Sequence, residues 1–204
     1  MRLVLASASP ARLSVLRAAG VEPVVRISGV DEDAVAAALV DPTPGDLVTA
    51  LAVAKAEAVL DAVAAEHPDS VIVGCDSMLA IGGEVVGKPH TPEAARERWR
   101  RMAGRSGTLL TGHAVLRLTG GEVVARASGS EPTTVRFGSP TEEEVEAYVA
   151  TGEPLAVAGG FTLDGLGGWF VDGIDGDPSS VIGISLPLTR KLLQVVGLGV
   201  PTFW

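Results

Sequence analysis

Near the start of the chain, LASASPAR (residues 5–12) places two hydroxyls, a proline and a guanidinium where an apolar run should hand over to a helix. A helix N-terminus offers free N–H groups and the positive end of the backbone dipole, which suits an anion. The hydroxyls of Ser7 and Ser9 and the guanidinium of Arg12 add donors that match phosphate oxygens. The same residues also suit an ordinary serine N-cap followed by a solvated arginine. Asp76 sits inside an otherwise apolar run, 70–81, and burying an unpaired carboxylate is costly unless it meets a cation, a metal or a cleft. A frayed strand end is the alternative. Lys88 closes GEVVGKP; if 71–81 and 84–87 form a hairpin, Asp76 and Lys88 could face one cleft. Lys55 lies in an alanine-rich stretch, where a lysine is ordinarily a solvated helix residue. Asp31, Glu32 and Asp33 cluster in a loop-like segment; such carboxylates hold Mg²⁺ or Mn²⁺ through oxygen, or simply stay solvated.

These groups need elements to position them. Leu3 to Ala6 reads as a buried strand. Pro10 fits the first turn of a helix capped by Ser9 and ended by Gly20. Residues 21–27 suggest a second strand and 28–44 a loop. Residues 45–65, rich in alanine and leucine, predict one helix, broken by His67-Pro68-Asp69. Residues 70–81 read as a central strand that turns at Gly82-Gly83 into 84–87. Thr91-Pro92-Glu93 opens a helix that runs to about Met102. Two long strands, 107–118 and 122–137, meet at Gly120-Gly121, and a short helix with an acidic start covers 141–150. The glycine-rich stretch 152–177 reads as site-forming loops with short strands. A helical turn at 178–182 and a final helix at 186–196 follow. The pattern is mixed α/β, without repeats, low-complexity tracts or flexible linkers.

A chain of 204 residues suits one domain, or two intimately packed lobes. With 47% apolar and 20% charged residues it reads as soluble and globular. A net charge of −9 repels nucleic-acid backbones and anionic membranes, but leaves room for a small phosphorylated ligand held by a local basic cluster. The lone cysteine, Cys75, excludes an intrachain disulfide and a CxxC zinc knuckle, and fits a reducing cytoplasm. No apolar run approaches about 18 residues, so neither membrane span nor signal peptide is expected. His67, His90 and His113 share no zinc-type spacing. GxxxxGK[ST] and GxSxG are both missing.

Taken in order, these stretches resemble the Maf family of nucleoside triphosphate pyrophosphatases, once named for septum formation. The resemblance spans nearly the whole chain. It rests on LASASPAR, Val30-Asp31-Glu32, Ala54-Lys55-Ala56, VIVGCDSML with GEVVGKP, Leu110-Thr111-Gly112, and GEPLAVAGGF…IDGDPSSVIGI. It implies an α/β fold with a mixed sheet, two lobes around a deep cleft, similar to inosine triphosphatases, with residues 1–204 as one Maf-like domain that is often a homodimer. It implies a cytoplasmic, house-cleaning hydrolase of acid anhydrides that cleaves nucleoside triphosphates, modified ones included, to monophosphate and pyrophosphate with Mg²⁺ or Mn²⁺. By position, Ser7 and Arg12, with Ser9 beside them, would hold phosphates. Glu32 and Asp76 would handle the metal and the attacking water, with Asp76 as general base. Lys55 and Lys88 would neutralise the phosphate chain.

The chain departs from the family pattern at Ala11, where many relatives have a second arginine, and at Val157 and Asp164, where lysine and glutamine are common. Thr108 is nearest to the place of a common histidine. The missing arginine and glutamine mark the branch that prefers dTTP and UTP, so this chain resembles another branch. A carboxylate at Asp164 accepts hydrogen bonds where a glutamine also donates, which favours a base presenting donors, such as guanine or the cytosine amino group. Two other functions fit less well. One is a nucleotide-binding regulator of cell division with weak catalysis, against which the retained Arg12, Glu32, Lys55, Asp76 and Lys88 argue. The other is a phosphatase releasing orthophosphate. The terminal Phe203 and Trp204 suit docking on the core or on a partner.

Overall fold

The computed structural model describes residues 1–204. In chain order its elements are β1 (Arg2–Leu5), α1 (Pro10–Ala18), β2 (Val24–Val25), α2 (Glu32–Ala37), α3 (Pro44–Ala58), α4 (Leu60–Glu66), β3 (Ser70–Ile81), β4 (Glu84–Val86), α5 (Pro92–Met102), β5 (Ser106–Thr119), β6 (Glu122–Phe137), α6 (Glu142–Ala150), β7 (Val171–Asp175), α7 (Pro178–Ile182) and α8 (Leu186–Val195). The strands are ordered β2-β1-β3-β5-β6-β7, with β4 paired to β3. The sheet is mixed: β1 and β3 are parallel, β3 and β4 antiparallel. The chain divides into two compact units, residues 1–76, 111–131 and 183–204 forming the first and residues 77–110 and 132–182 the second.

In the first unit β1 pairs in parallel with β2 on one side and with β3 on the other, from Arg2↔Ser70 to Leu5↔Val73. Parallel neighbours need a crossover, and helices α1 to α4 supply it between β1 and β3. Val4, Ala6, Ile72, Ala114, Leu116 and Leu118 from the strands pack against Ala52, Ala56, Val59 and Val63 from α3 and α4. Two glycines decide how close α3 comes. A Cβ on Gly74 would lie 2.2 Å from the Ala52 carbonyl oxygen, and one on Gly112 2.1 Å from that of Val48. The helix backbone therefore rests directly on the strands, and Lys55 on α3 reaches the end of the apolar part of β3.

In the second unit β3 turns at Gly82-Gly83 into β4, with Leu79↔Val86 and Ile81↔Glu84 in register, which bears out the expected hairpin. β7 pairs antiparallel with β6. Thr91 caps α5, whose buried Ala95, Trp99 and Met102 recur at helical spacing. Trp99 meets Phe137, Tyr148 and Phe170 edge-on, with ring centroids 6.0, 5.9 and 5.6 Å apart. Its indole N–H donates to the Gly160 carbonyl at 3.0 Å. Residues 152–177 contain three 3-10 turns (Glu153–Ala156, Ala158–Gly160 and Leu166–Phe170) followed by β7.

Three local expectations need correction. Residues 28–44 are not simply loop, because Asp31 caps α2 by accepting from the Ala34 N–H, and Glu32 and Asp33 complement the dipole of its first turn. The helix expected over 45–65 is two helices that abut at Val59, which is buried in the first unit's core. The strand expected over 21–27 shrinks to Val24–Val25 at one end of the strand order, just after Pro23, which has no N–H to donate. Trp204 ends the chain beside Gly20, 3.7 Å from where a Cβ would stand, and stays 74% exposed. No helix is long and apolar enough to cross a membrane.

Candidate active site

The first unit gathers two groups of polar side chains. In the first group, β1 ends and Ser7 follows, buried. Its Oγ accepts from the Ser9 N–H at 3.1 Å and from Arg12 Nη1 at 3.0 Å. Arg12 Nε also donates to the Gly183 carbonyl at 2.8 Å. The guanidinium is thus anchored at two points and only partly exposed. The Ser9 hydroxyl accepts from the Arg12 N–H at 3.4 Å, so Ser9 is the N-cap of α1. The expected Ser9 cap is present, but the arginine is tied down rather than solvated.

The second group lies where α3 crosses β3. Lys55 is 8% exposed and Asp76 5% exposed. Lys55 Nζ donates to Asp76 Oδ1 at 2.5 Å and lies 2.7 Å from Glu32 Oε1. The other oxygen of Asp76, Oδ2, is buried and has no hydrogen-bond partner. Burial pushes the Asp76 carboxyl above its ordinary value; the charge and hydrogen bond of Lys55 and the charge of Arg12 oppose that, and Glu32 adds to it. A buried acid with a raised pKa, pinned by one oxygen and free at the other, is suited to take a proton. Its neighbour Cys75 is not a candidate nucleophile. Burial pushes its thiol up to about 11, so it remains protonated.

The donor set can be tested against a divalent cation. No three or more His, Cys, Asp or Glu side chains are arranged so that they could hold a metal ion by themselves. Glu32 and Asp76 converge on Lys55, and Asp76 Oδ2 lacks any donor. Two carboxylates with a free oxygen suit Mg²⁺, which keeps several waters and shares substrate phosphate oxygens rather than needing a full protein cage. The residues fit.

The family profile for Maf-like proteins matches residues 2–196. The chain belongs to the Maf family. It is 75% identical to a Saccharopolyspora erythraea protein called nucleoside triphosphate pyrophosphatase, over 100% of this chain and 97% of that one. Proteins of the same name from Nocardia farcinica (65% identity, 99% and 96% of the two chains) and Rhodococcus opacus (65%, 98% and 95%) are similar over the same span. The Maf resemblance carried by the motifs is borne out, and so is the mixed α/β fold.

Of the residues singled out in the sequence, the structure brings Ser7, Ser9 and Arg12 together, and likewise Glu32, Lys55 and Asp76. The charge of Arg12 acting on Asp76 links the two groups. Lys88 and Asp164 belong to the second unit and are exposed. Lys88 follows Gly87, whose carbonyl accepts from Arg98 Nη1 at 2.5 Å and from the Gly159 N–H at 3.1 Å. Sequence reasoning missed several supporting groups. The carbonyl that holds Arg12 is 171 residues away, and no spacing rule points to it. His113, noted only as a non-ligand, is fully buried; its Nε2 accepts from the Ser185 N–H at 2.8 Å and its Nδ1 lies 3.0 Å from the Thr111 carbonyl. It ties β5 to the start of α8. Glu153 organises the glycine-rich segment, and only its place before Pro154 at a turn marked it.

Proposed function

We propose that this chain is a nucleoside triphosphate pyrophosphatase: water opens the bond between the α- and β-phosphates, releasing a nucleoside monophosphate and pyrophosphate. The observation that carries this reading is the buried Lys55–Asp76 pair with Asp76 Oδ2 unsatisfied. In that role Asp76 accepts the proton of the attacking water at its free oxygen. Its raised pKa makes it a stronger base than an exposed carboxylate. Lys55 orients it and offsets negative charge near the phosphates. Ser7 and Arg12, anchored to each other, present donors to phosphate oxygens, with the Ser9-capped end of α1 beside them. Phosphoryl transfer asks mostly for such positioning and charge neutralisation. Glu32 and Asp76 would hold a divalent cation, Mg²⁺ or Mn²⁺, which when bound neutralises phosphate charge and favours ionisation of water.

Family correspondence supports the remaining assignments. Lys88 neutralises the phosphate chain and Asp164 meets the base. Asp164 favours a base with an exocyclic amino donor, such as guanine or cytosine, over thymine or uracil, and Ala11 departs with it from the branch that prefers dTTP and UTP. The same correspondence supports a single Maf-like domain of two lobes over residues 1–204, a homodimer and a cytoplasmic location; the buried free thiol of Cys75 agrees with a reducing compartment. The regulator reading gains nothing, because Arg12, Lys55 and Asp76 are all held in a polar network that a pure binding module does not require.

The deciding experiment is a panel of nucleoside triphosphates with Mg²⁺ or Mn²⁺ and ion-exchange separation of products. Monophosphate with pyrophosphate is expected, with GTP or CTP ahead of UTP. Orthophosphate as first product would make it a phosphatase, and no turnover would favour the regulator. Arg12→Ala should raise KM about tenfold to a hundredfold, the equivalent of about 1.5–3 kcal/mol for a charged hydrogen bond. A wild-type KM would show that Arg12 serves only to hold Gly183.

A further inference from the structure

The glycine-rich segment of the second unit is closed by a single carboxylate. Glu153 opens the 3-10 turn Glu153–Ala156. Its Oε1 accepts from the Thr162 hydroxyl at 2.5 Å, from the Gly167 N–H at 3.1 Å and from the Tyr148 hydroxyl at 3.1 Å. Its Oε2 accepts from the Leu166 N–H at 3.2 Å. Four donors converge on two oxygens, and three of them come from the loop 162–167. The fit is close: a Cβ on Gly165 would stand 2.8 Å from Oε1. Partial burial works against the charge of Glu153. The hydrogen bonds from Thr162, Leu166, Gly167 and Tyr148 outweigh it and hold the carboxyl below its ordinary value, so it is ionised at neutral pH. Burial above all, with the charge of Glu153, pushes the Tyr148 hydroxyl up, so it stays a donor.

The loop held in this way carries Asp164 on its exposed side. A segment with glycines at 165, 167 and 168 has much conformational freedom to lose and little apolar surface to hold it. Hydrogen-bond discrimination between bases demands an acceptor fixed to a fraction of an ångström. We propose that Glu153 is a positioning residue for base selectivity: by clamping Thr162, Leu166 and Gly167 it fixes Asp164 as the acceptor for the exocyclic amino group of a guanine or cytosine base. This rests on the pyrophosphatase reading and adds to it the device that holds the specificity loop. Glu153 touches neither phosphate nor water in this role. Its loss acts on the choice between bases, not on the chemistry.

The test uses the full chain with Glu153→Ala and Glu153→Gln. Without nucleotide, amide exchange at Leu166 and Gly167 should rise about tenfold or more in Glu153→Ala, while the core amide of Phe137 keeps its protection. Glu153→Gln should fall between, because its carbonyl oxygen still accepts while its NH₂ cannot. With nucleotide, the ratio of kcat/KM for GTP or CTP over UTP should fall about tenfold in Glu153→Ala, through KM for the preferred base. Asp164→Ala should lose the same ratio, and the double variant should lose no more. Unchanged exchange at Leu166 and Gly167 would overturn the clamp. Raised exchange with an unchanged ratio would overturn its role in selectivity. A wild-type protein that hydrolyses no triphosphate would overturn the pyrophosphatase reading instead, and the exchange result would still report on the clamp.

Discussion

Asp76→Asn should lower kcat for triphosphate hydrolysis by roughly 10²–10⁴-fold, the usual contribution of a positioned general base, and leave the protein folded. Asparagine has the shape of aspartate, and its carbonyl oxygen can still accept from Lys55 Nζ. What disappears is the buried negative charge and the free oxygen that could take a proton. The effect on stability has a definite sign. The folded-state pKa of Asp76 is raised, chiefly by burial. Between the ordinary carboxylate value and that raised one, the folded state binds more protons than the unfolded state, so stability falls as pH rises through the window and the loss is complete above it. Asparagine does not titrate. The variant should therefore lose this part of the pH dependence, and near neutral pH it should melt below wild type, because Lys55 is left buried with only the half-exposed Glu32 as a carboxylate partner. The measurement pairs product chromatography with thermal melts over pH; unchanged kcat would place the base elsewhere.

The sequence made much of this arrangement legible, because the signals were local. Ser9 and Pro10 announced α1, Thr91 and Pro92 announced α5, and the apolar run broken by Asp76 marked β3 with its odd carboxylate. Other features depended on partners far along the chain. Lys55 looks like any helix lysine until Gly74 and Gly112, on two different strands, let α3 settle onto the sheet and bury it. Family resemblance, not spacing, singled it out. The acidic cluster at 31–33 is plain in the sequence, yet the use of Asp31 as a cap is not, because an acidic loop and an acidic first helical turn share a composition. Glu153 carried no local signal of its four donors, two of which are backbone groups of a loop that has no regular period.

Lys55→Met should damage the fold more than any other single change in the site. Methionine replaces most of the apolar length of lysine, so packing along α3 is largely kept. The partner is not. Asp76 would be left as a buried carboxylate with neither oxygen paired to a cation, and removing one member of a buried pair costs about 3–5 kcal/mol. The contact to Glu32 adds little to that loss, because its side chain is 52% exposed and water screens it. Loss of Lys55 also removes the strongest pull against desolvation, so the Asp76 pKa rises further. Two consequences can be measured together. The loss of stability in urea should be smaller at about pH 5 than at about pH 7, because protonation relieves the unpaired charge. Adding Asp76→Asn to Lys55→Met should restore part of the lost stability, since the double variant buries no charge there, and the size of that recovery measures the coupling between the two residues. Equal losses at both pH values, with no recovery in the double variant, would show that Lys55 supports the fold through packing alone.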